Sequence, residues 1–212
     1  MSEIIRRIVS IYEEILPLIE SREREFSMPR APEELFGELA FCLCTPQSNA
    51  HSCSDAVERL RDTGLLIHGG AREIAESIRG GVRFHHTKGE RIRAARDFMM
   101  GGGAAEFLRV LERSGDLAAR EWIYSRINGI GFKEASHFLR NTGHGARLAI
   151  LDRHILRFLA EAGVIDSIPS SIPVKRYLEI EQKMTYFADS VKIPLGHLDF
   201  VLWYRLKGEV FK

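Results

Sequence analysis

The sequence predicts an all-α chain. Apolar residues recur at spacings of three and four, glycines and prolines stop those runs, and alternating strand-like segments are nearly absent. The first stripe is Ile4, Ile8, Ile11, Ile15 and Leu18, with Ile5, Tyr12 and Ile19 beside them. Pro32 suits the first turn of a helix over 33–44, and Pro46 breaks that run. Helical patterns follow over 49–61, ending at Gly64, and over 71–78, closed by Gly80-Gly81. Another spans 89–100 and stops at Gly101-Gly102-Gly103. Asp116 is placed to cap 117–127, and Asp152 to cap 153–162, with Gly163 at the exit. A loop over 166–173 precedes helices over 174–190 and 194–207; only 82–86 has an ambiguous, strand-like pattern.

A chain of 212 residues is long enough for one domain or two small helical lobes. Its 45% hydrophobic and 28% charged content is that of an ordinary globular protein. No apolar run reaches the ~18–20 residues that cross a bilayer, so no membrane partner is expected. The N-terminus lacks the apolar core of a signal peptide. Cys42, Cys44 and Cys53 form no paired framework and match no common zinc or iron–sulfur spacing, which points to reduced, core-packed thiols in a cytoplasmic protein. The histidines His85, His86, His137 and His154 lack the i,i+4 spacing of helical metal ligands and read as surface or hydrogen-bonding groups.

The net charge of +1 conceals segregation. Residues 79–96 hold six basic side chains against Glu90, a net +5, and residues 126–157 carry a net +4, leaving −8 on the remainder. Solvated helix faces and a phosphate-binding surface account for this equally well.

Residues 121–139 hold the most informative pattern: two amphipathic helices flank Asn128-Gly129-Ile130-Gly131. Gly129 and Gly131 permit a tight turn, Ile130 plugs the space between the helices, and Ala135 lets them pack closely. A helix starting near Phe132 directs its first amides outward beside the glycines, an arrangement suited to a phosphate oxygen. Gly-x-Gly alone is better read as an ordinary αα-turn. Lys133 is more unusual. It sits in a helical first turn, where the macrodipole disfavours a cation by roughly 0.3–1 kcal/mol. That field, with burial, favours the neutral amine and therefore a nucleophile. A lysine reaching into water is the plainer alternative.

Gly129-Ile130-Gly131-Phe132-Lys133, followed nineteen positions later by Leu151-Asp152-Arg153-His154, resembles the helix-hairpin-helix DNA glycosylase superfamily. No cysteine follows Cys53, unlike the iron–sulfur members. The blocks 129–143, 149–155 and 198–208 are similar to the short archaeal-type 8-oxoguanine DNA glycosylase/lyases. The resemblance implies a two-lobed helical fold without an iron–sulfur cluster. Approximate lobes are 1–45 with 165–212 and 46–164, the second a helical barrel carrying the hairpin. It also implies a bifunctional enzyme in which Lys133 attacks the sugar and forms a Schiff base while Asp152 assists attack and stabilises charge. Capping alone would also explain Asp152.

The same resemblance places Trp203 and the final Lys212 in a pocket for the extruded base, Lys212 through its amine, its carboxylate or both. Phe84 is a candidate for stacking on that base, although core packing explains Trp203 or Phe84 as readily. Gln47, in the segment 44–49, matches the position that fills the hole left in the duplex; an exposed turn is the alternative. Double-stranded DNA containing oxidised guanine is the implied partner, bound by a monomer acting at the nucleoid of the cytoplasm. No cofactor is expected, apart from a monovalent cation on hairpin carbonyls when DNA is bound. A glycosylase for another oxidised base, an abasic-site lyase and a non-catalytic DNA-binding module are the competing functions.

Overall fold

A computed structural model describes residues 3–212, and no strand occurs among them. The helices are α1 (Glu3–Phe26), α2 (Pro32–Cys44), α3 (Ala50–Asp62), α4 (Leu65–His68), α5 (Ala71–Ile78) and α6 (His85–Phe98). A single π turn, Met99–Gly103, leads into α7 (Ala104–Arg126), followed by α8 (Phe132–Asn141), α9 (Arg153–Glu161), α10 (Val174–Val191) and α11 (Leu195–Lys207). The all-α expectation holds. Two compact units divide the chain: a terminal unit of Met1–Met28 with Leu139–Lys212, and an inner unit of Pro29–Phe138. The lobe borders expected from sequence, after 45 and after 164, lie elsewhere. Packing decides the difference: α2 is core to the inner unit, while residues 149–151 are tied to α10 in the terminal unit.

In the inner unit, every residue of α2 from Leu35 to Cys44 is buried, because its apolar side chains surround the whole helix. Cys42, Cys44 and Cys53 are buried and none is in a disulfide, as their apolar context suggests. Burial pushes the Cys44 thiol up to about 12 and the Cys53 thiol up to about 11, so both stay protonated at neutral pH. Helix α6 begins four residues before the expected start. Gly89 lies inside it, where a Cβ would meet the Ala71 carbonyl and stand 2.9 Å from Ala75 Cβ; the glycine permits close α5–α6 packing rather than starting the helix. The ambiguous segment 82–86 is not a strand, since Phe84 adopts a left-handed conformation immediately before α6. The run from Ala104 is two helical stretches meeting at a kink, Gly115, whose φ of 75° and ψ of −174° are non-helical, so a helical stretch begins beside Asp116 as the sequence suggests.

In the terminal unit, α1 packs along α11. Ile8, Ile15, Ile19 and Phe26 supply the buried face of α1, whereas Leu18 is 54% exposed and falls off the predicted stripe. Phe26 stacks near Phe200 with ring centroids 6.3 Å apart. The Arg140 guanidinium lies 4.3 Å from the Phe200 ring centroid and donates to Asp199 Oδ2 at 2.6 Å. A buried cation is thus held by both a π face and a carboxylate.

Candidate active site

The hairpin lies in the inner unit, and of its two glycines only Gly129 has a positive φ. The Ile127 amide caps α7 by donating to Ile123 O at 2.9 Å, and Ile130 N donates to Ile127 O at 3.3 Å. Ile130 is buried, 5% exposed, and fills the space beneath the turn. Gly129 has φ 92°, and the Arg91 side chain occupies the volume a Cβ would need. Both facts favour glycine at this position. Phe132, the first residue of α8, packs against Tyr124 with ring centroids 4.9 Å apart and beneath the Arg120 guanidinium, 4.7 Å from its own centroid. Arg120, 1% exposed, was not singled out from sequence; an arginine in an amphipathic helix ordinarily reads as surface. His137, read from sequence as a surface or hydrogen-bonding group, is buried against Phe41.

Lys133 is the second residue of α8, and its side chain is 23% exposed. Its Nζ lies 3.2 Å from Glu134 Oε1, while Glu134 Oε2 accepts the Gly131 N–H at 3.2 Å. Glu134 therefore caps α8 in the manner of a capping-box carboxylate and faces the candidate nucleophile with its other oxygen. This pairing favours the ammonium form, opposing the helix field that favours the amine. Replacing Glu134 by Gln keeps a hydrogen-bond acceptor at the cap and removes the charge. The rising limb of the pH–rate profile for adduct formation is expected to move to lower pH; an unmoved limb would separate Glu134 from the protonation of Lys133.

Gln47 and Phe84 are also in the inner unit, and both are exposed residues with positive φ, 58° and 59°. Each such conformation costs about 1–3 kcal/mol for a non-glycine side chain and needs surrounding structure to hold it. Phe84 is 56% exposed, which excludes the core-packing alternative. Gln47 lies between the end of α2 and Asn49, whose side chain accepts the Ser52 amide and caps α3.

Asp152 belongs to the terminal unit. It is the N-cap of α9, and its Oδ1 accepts both the His154 and Ile155 amides at 2.8 Å. Neither bond uses Oδ2, and the residue is half-buried. The approach to Asp152 is fixed from α10. Tyr177 Oη donates to Ala149 O at 2.6 Å and accepts the Leu151 amide at 3.3 Å, and Glu181 Oε1 accepts the Ala149 amide at 2.8 Å. Sequence alone gave no reason to pair Tyr177 and Glu181 with residues some thirty positions earlier. Beyond Asp152, His154, Arg157 and Arg205 line a cleft of about 340 Å³ with Arg7, a basic surface partly offset by Glu161.

Trp203 and Lys212, in the same unit, are half-buried. Phe211 stacks on Trp203 at 6.4 Å between centroids and 27° between planes. Trp203 Nε1 is buried without a hydrogen-bond partner among the described residues, a donor left for a ligand or water to satisfy. The expected site residues thus form two groups: Gln47, Phe84, the hairpin and Lys133 in the inner unit, and Asp152, Trp203 and Lys212 in the terminal unit.

A family model for 8-oxoguanine DNA glycosylase matches residues 19–193. The 8-oxoguanine DNA glycosylase/AP lyase of Fusobacterium nucleatum is 39% identical over 217 aligned positions, covering 100% of this chain and 99% of the relative. The crystal structure of the Thermotoga maritima 8-oxoguanine DNA glycosylase matches with a TM-score of 0.88 at 35% identity, covering 99% of each chain. That of the Methanocaldococcus jannaschii 8-oxoguanine glycosylase/lyase, in complex with a 15mer DNA containing 8-oxoguanine, matches with a TM-score of 0.88 at 34% identity over the whole of both chains. Family match, full-length identity and shared helical fold converge: the chain belongs to the 8-oxoguanine DNA glycosylase family.

Proposed function

We propose that this chain excises 8-oxoguanine from duplex DNA with Lys133 as nucleophile and then cleaves the abasic strand. The observation that carries the reading is the placement of Lys133 in the first turn of α8, directly after the Gly129-Ile130-Gly131 turn. The helix N-terminus receives a backbone phosphate there, so one short segment both grips DNA and presents an amine. The names of full-length relatives, 8-oxoguanine DNA glycosylase/AP lyase, support the substrate and both activities.

In this mechanism the neutral Nζ attacks C1′ of the sugar, and the glycosidic C–N bond breaks with its electron pair leaving on the base. The Asp152 carboxylate stabilises the positive charge that develops at C1′ and O4′. Loss of a proton from nitrogen and opening of the ring, with O4′ taking up a proton, produce a Schiff base. Removal of a C2′ proton then expels the 3′ phosphate with the C–O electron pair and nicks the strand. Hydrolysis of the imine frees Lys133.

Trp203 and Lys212 are assigned to the base pocket, with the buried Trp203 N–H supporting that assignment. Phe84 stacks on the extruded base and Gln47 fills the duplex. Base–aromatic stacking contributes ~1–3 kcal/mol, so Trp203→Ala is expected to slow 8-oxoguanine release about 10- to 100-fold while leaving cleavage of a preformed abasic site near wild type. Equal losses on both substrates would remove Trp203 from the pocket. The protein works as a monomer on duplex DNA, at the nucleoid of the cytoplasm. No helix among the described residues is long and apolar enough to cross a membrane. The chemistry draws on no cofactor; a monovalent cation accompanying bound DNA would be held by carbonyl groups of the exposed turn around Asn128.

Borohydride trapping tests the whole reading. A covalent protein–DNA complex is expected on an 8-oxoguanine duplex and on a bare abasic site, with little on thymine glycol. An intact 8-oxoguanine duplex with no adduct would refute it, while trapping only on the abasic site would reduce the activity to a lyase.

A further inference from the structure

We propose that Lys88 is a positioning residue that holds Gln47 and Phe84 together as a paired, preorganised probe of the duplex. This rests on the assignment of those two side chains to DNA contact. Lys88 lies in the strongly basic segment 79–96, where a solvated or phosphate-binding lysine would be expected, yet it is only 2% exposed. Its ammonium is turned inward. Nζ donates to Cys44 O at 2.7 Å, Pro46 O at 2.7 Å and Ser48 Oγ at 3.1 Å, occupying all three of its protons.

These acceptors surround one residue. Cys44 O belongs to the last turn of α2, and Pro46 and Ser48 flank Gln47 on either side. The three bonds gather the loop into the left-handed conformation at Gln47 and leave its side chain exposed. Ser48 Oγ also accepts the amide of Arg83 at 3.0 Å, and Arg83 immediately precedes Phe84. The Phe84 carbonyl in turn accepts the Lys88 amide at 3.0 Å, the bond that begins α6. One ammonium and one hydroxyl therefore tie the two exposed, positive-φ residues into a single unit.

A buried ammonium is an expensive way to fill space, and an apolar side chain of similar length would do so without desolvating a charge. Burial, with Arg91 nearby, lowers the Lys88 pKa and Glu134 opposes the shift, while three hydrogen bonds offset part of the cost of burying the charge. What the lysine supplies and a methionine does not is a set of three convergent donors. The same helix carries Arg91 one turn later, packed over Gly129, so α6 links this probe to the hairpin beside Lys133. The Cys53 thiol lies within the electrostatic reach of both Lys88 and Lys133, which places the two lysines in one neighbourhood of the inner unit.

The test separates base extrusion from lysine chemistry. Extrusion is followed by the fluorescence of 2-aminopurine beside 8-oxoguanine in a duplex. Chemistry is followed by borohydride trapping on a single-stranded abasic oligonucleotide, which needs no extrusion. Lys88→Met is expected to slow extrusion about 10-fold or more, as small misplacements of positioning groups do, while trapping stays within about 2-fold of wild type. Adding Gln47→Ala to Lys88→Met should cause little further loss. Ser48→Ala, a milder change that keeps the lysine, should reproduce the selective defect if Lys88→Met fails to fold. Lys88→Arg should rescue it poorly, because a planar guanidinium cannot direct three donors from one point. Wild-type extrusion in Lys88→Met or, where that variant fails to fold, in Ser48→Ala would overturn the proposal, as would parallel loss of extrusion and trapping in folded protein. If Gln47→Ala and Phe84→Ala leave extrusion unchanged, the DNA-contact assignment itself fails. If they impair it while Lys88→Met and Ser48→Ala do not, that assignment stands and only the role of Lys88 falls.

Discussion

Lys133→Gln is expected to eliminate the borohydride-trapped complex and to lower 8-oxoguanine release by at least ~10³-fold, as removal of a covalent nucleophile does. Glutamine preserves the length and polarity of the side chain but cannot form an imine. The geometry predicts that DNA binding survives. The turn is shaped by Gly129, Ile130 and Arg91, and α8 is capped by Glu134, none of which depends on the Lys133 amine. Fold stability should change little. The variant loses an ion pair with Glu134 but also a cation from a helix first turn, opposing effects that are each about 1 kcal/mol or less. Duplex affinity and thermal unfolding provide the controls. Retained adduct in Lys133→Gln would assign the Schiff base to another amine. Base release near the wild-type rate without strand cleavage would instead mean that water, not lysine, displaces the base.

The parts of this site that were legible in the sequence are those whose physics is local. A glycine-bounded turn followed by helical periodicity identifies the hairpin because Gly129 needs a positive φ and the close approach of Arg91 leaves no room for a Cβ. Asp152 is legible as a cap because its carboxylate bonds amides two and three residues on. Lys88 was hidden by its context: surrounded in sequence by arginines, it carries no local sign that its ammonium points to the end of α2, more than forty residues earlier. Phe84 misled for a related reason. An aromatic residue in a left-handed conformation has no sequence signature, so the start of α6 was placed too late and the strand-like reading of 82–86 survived. The lobe borders failed because they depend on which helices share a core. The bonds from Tyr177 and Glu181 to residues 149–151 decide that question at long range.

Asp152→Asn separates the cap made by this carboxylate from the charge stabilisation proposed for it. Asparagine is as good an N-cap as aspartate, and its amide oxygen can accept the His154 and Ile155 amides that Asp152 Oδ1 now accepts. The fold should therefore remain intact, with only the charge–dipole part of the cap lost, about 0.3–1 kcal/mol. Base release should fall much further, by about 10²- to 10³-fold, because an amide cannot neutralise the positive charge that develops on the sugar. Asp152→Ala should match that catalytic loss and add about 1 kcal/mol of destabilisation from the vacant cap. Reaction at a preformed abasic site offers the sharpest contrast. Its open-chain aldehyde condenses with Lys133 without passing through a glycosidic transition state, so trapping there should suffer less than base release. Comparable losses in the two assays would move Asp152 from charge stabilisation to a role shared by both steps. If Asp152→Asn retained full base release while Asp152→Ala lost stability alone, capping would be its whole function, and the approach held by Tyr177 and Glu181 would serve to fold α9 instead of to aim a carboxylate.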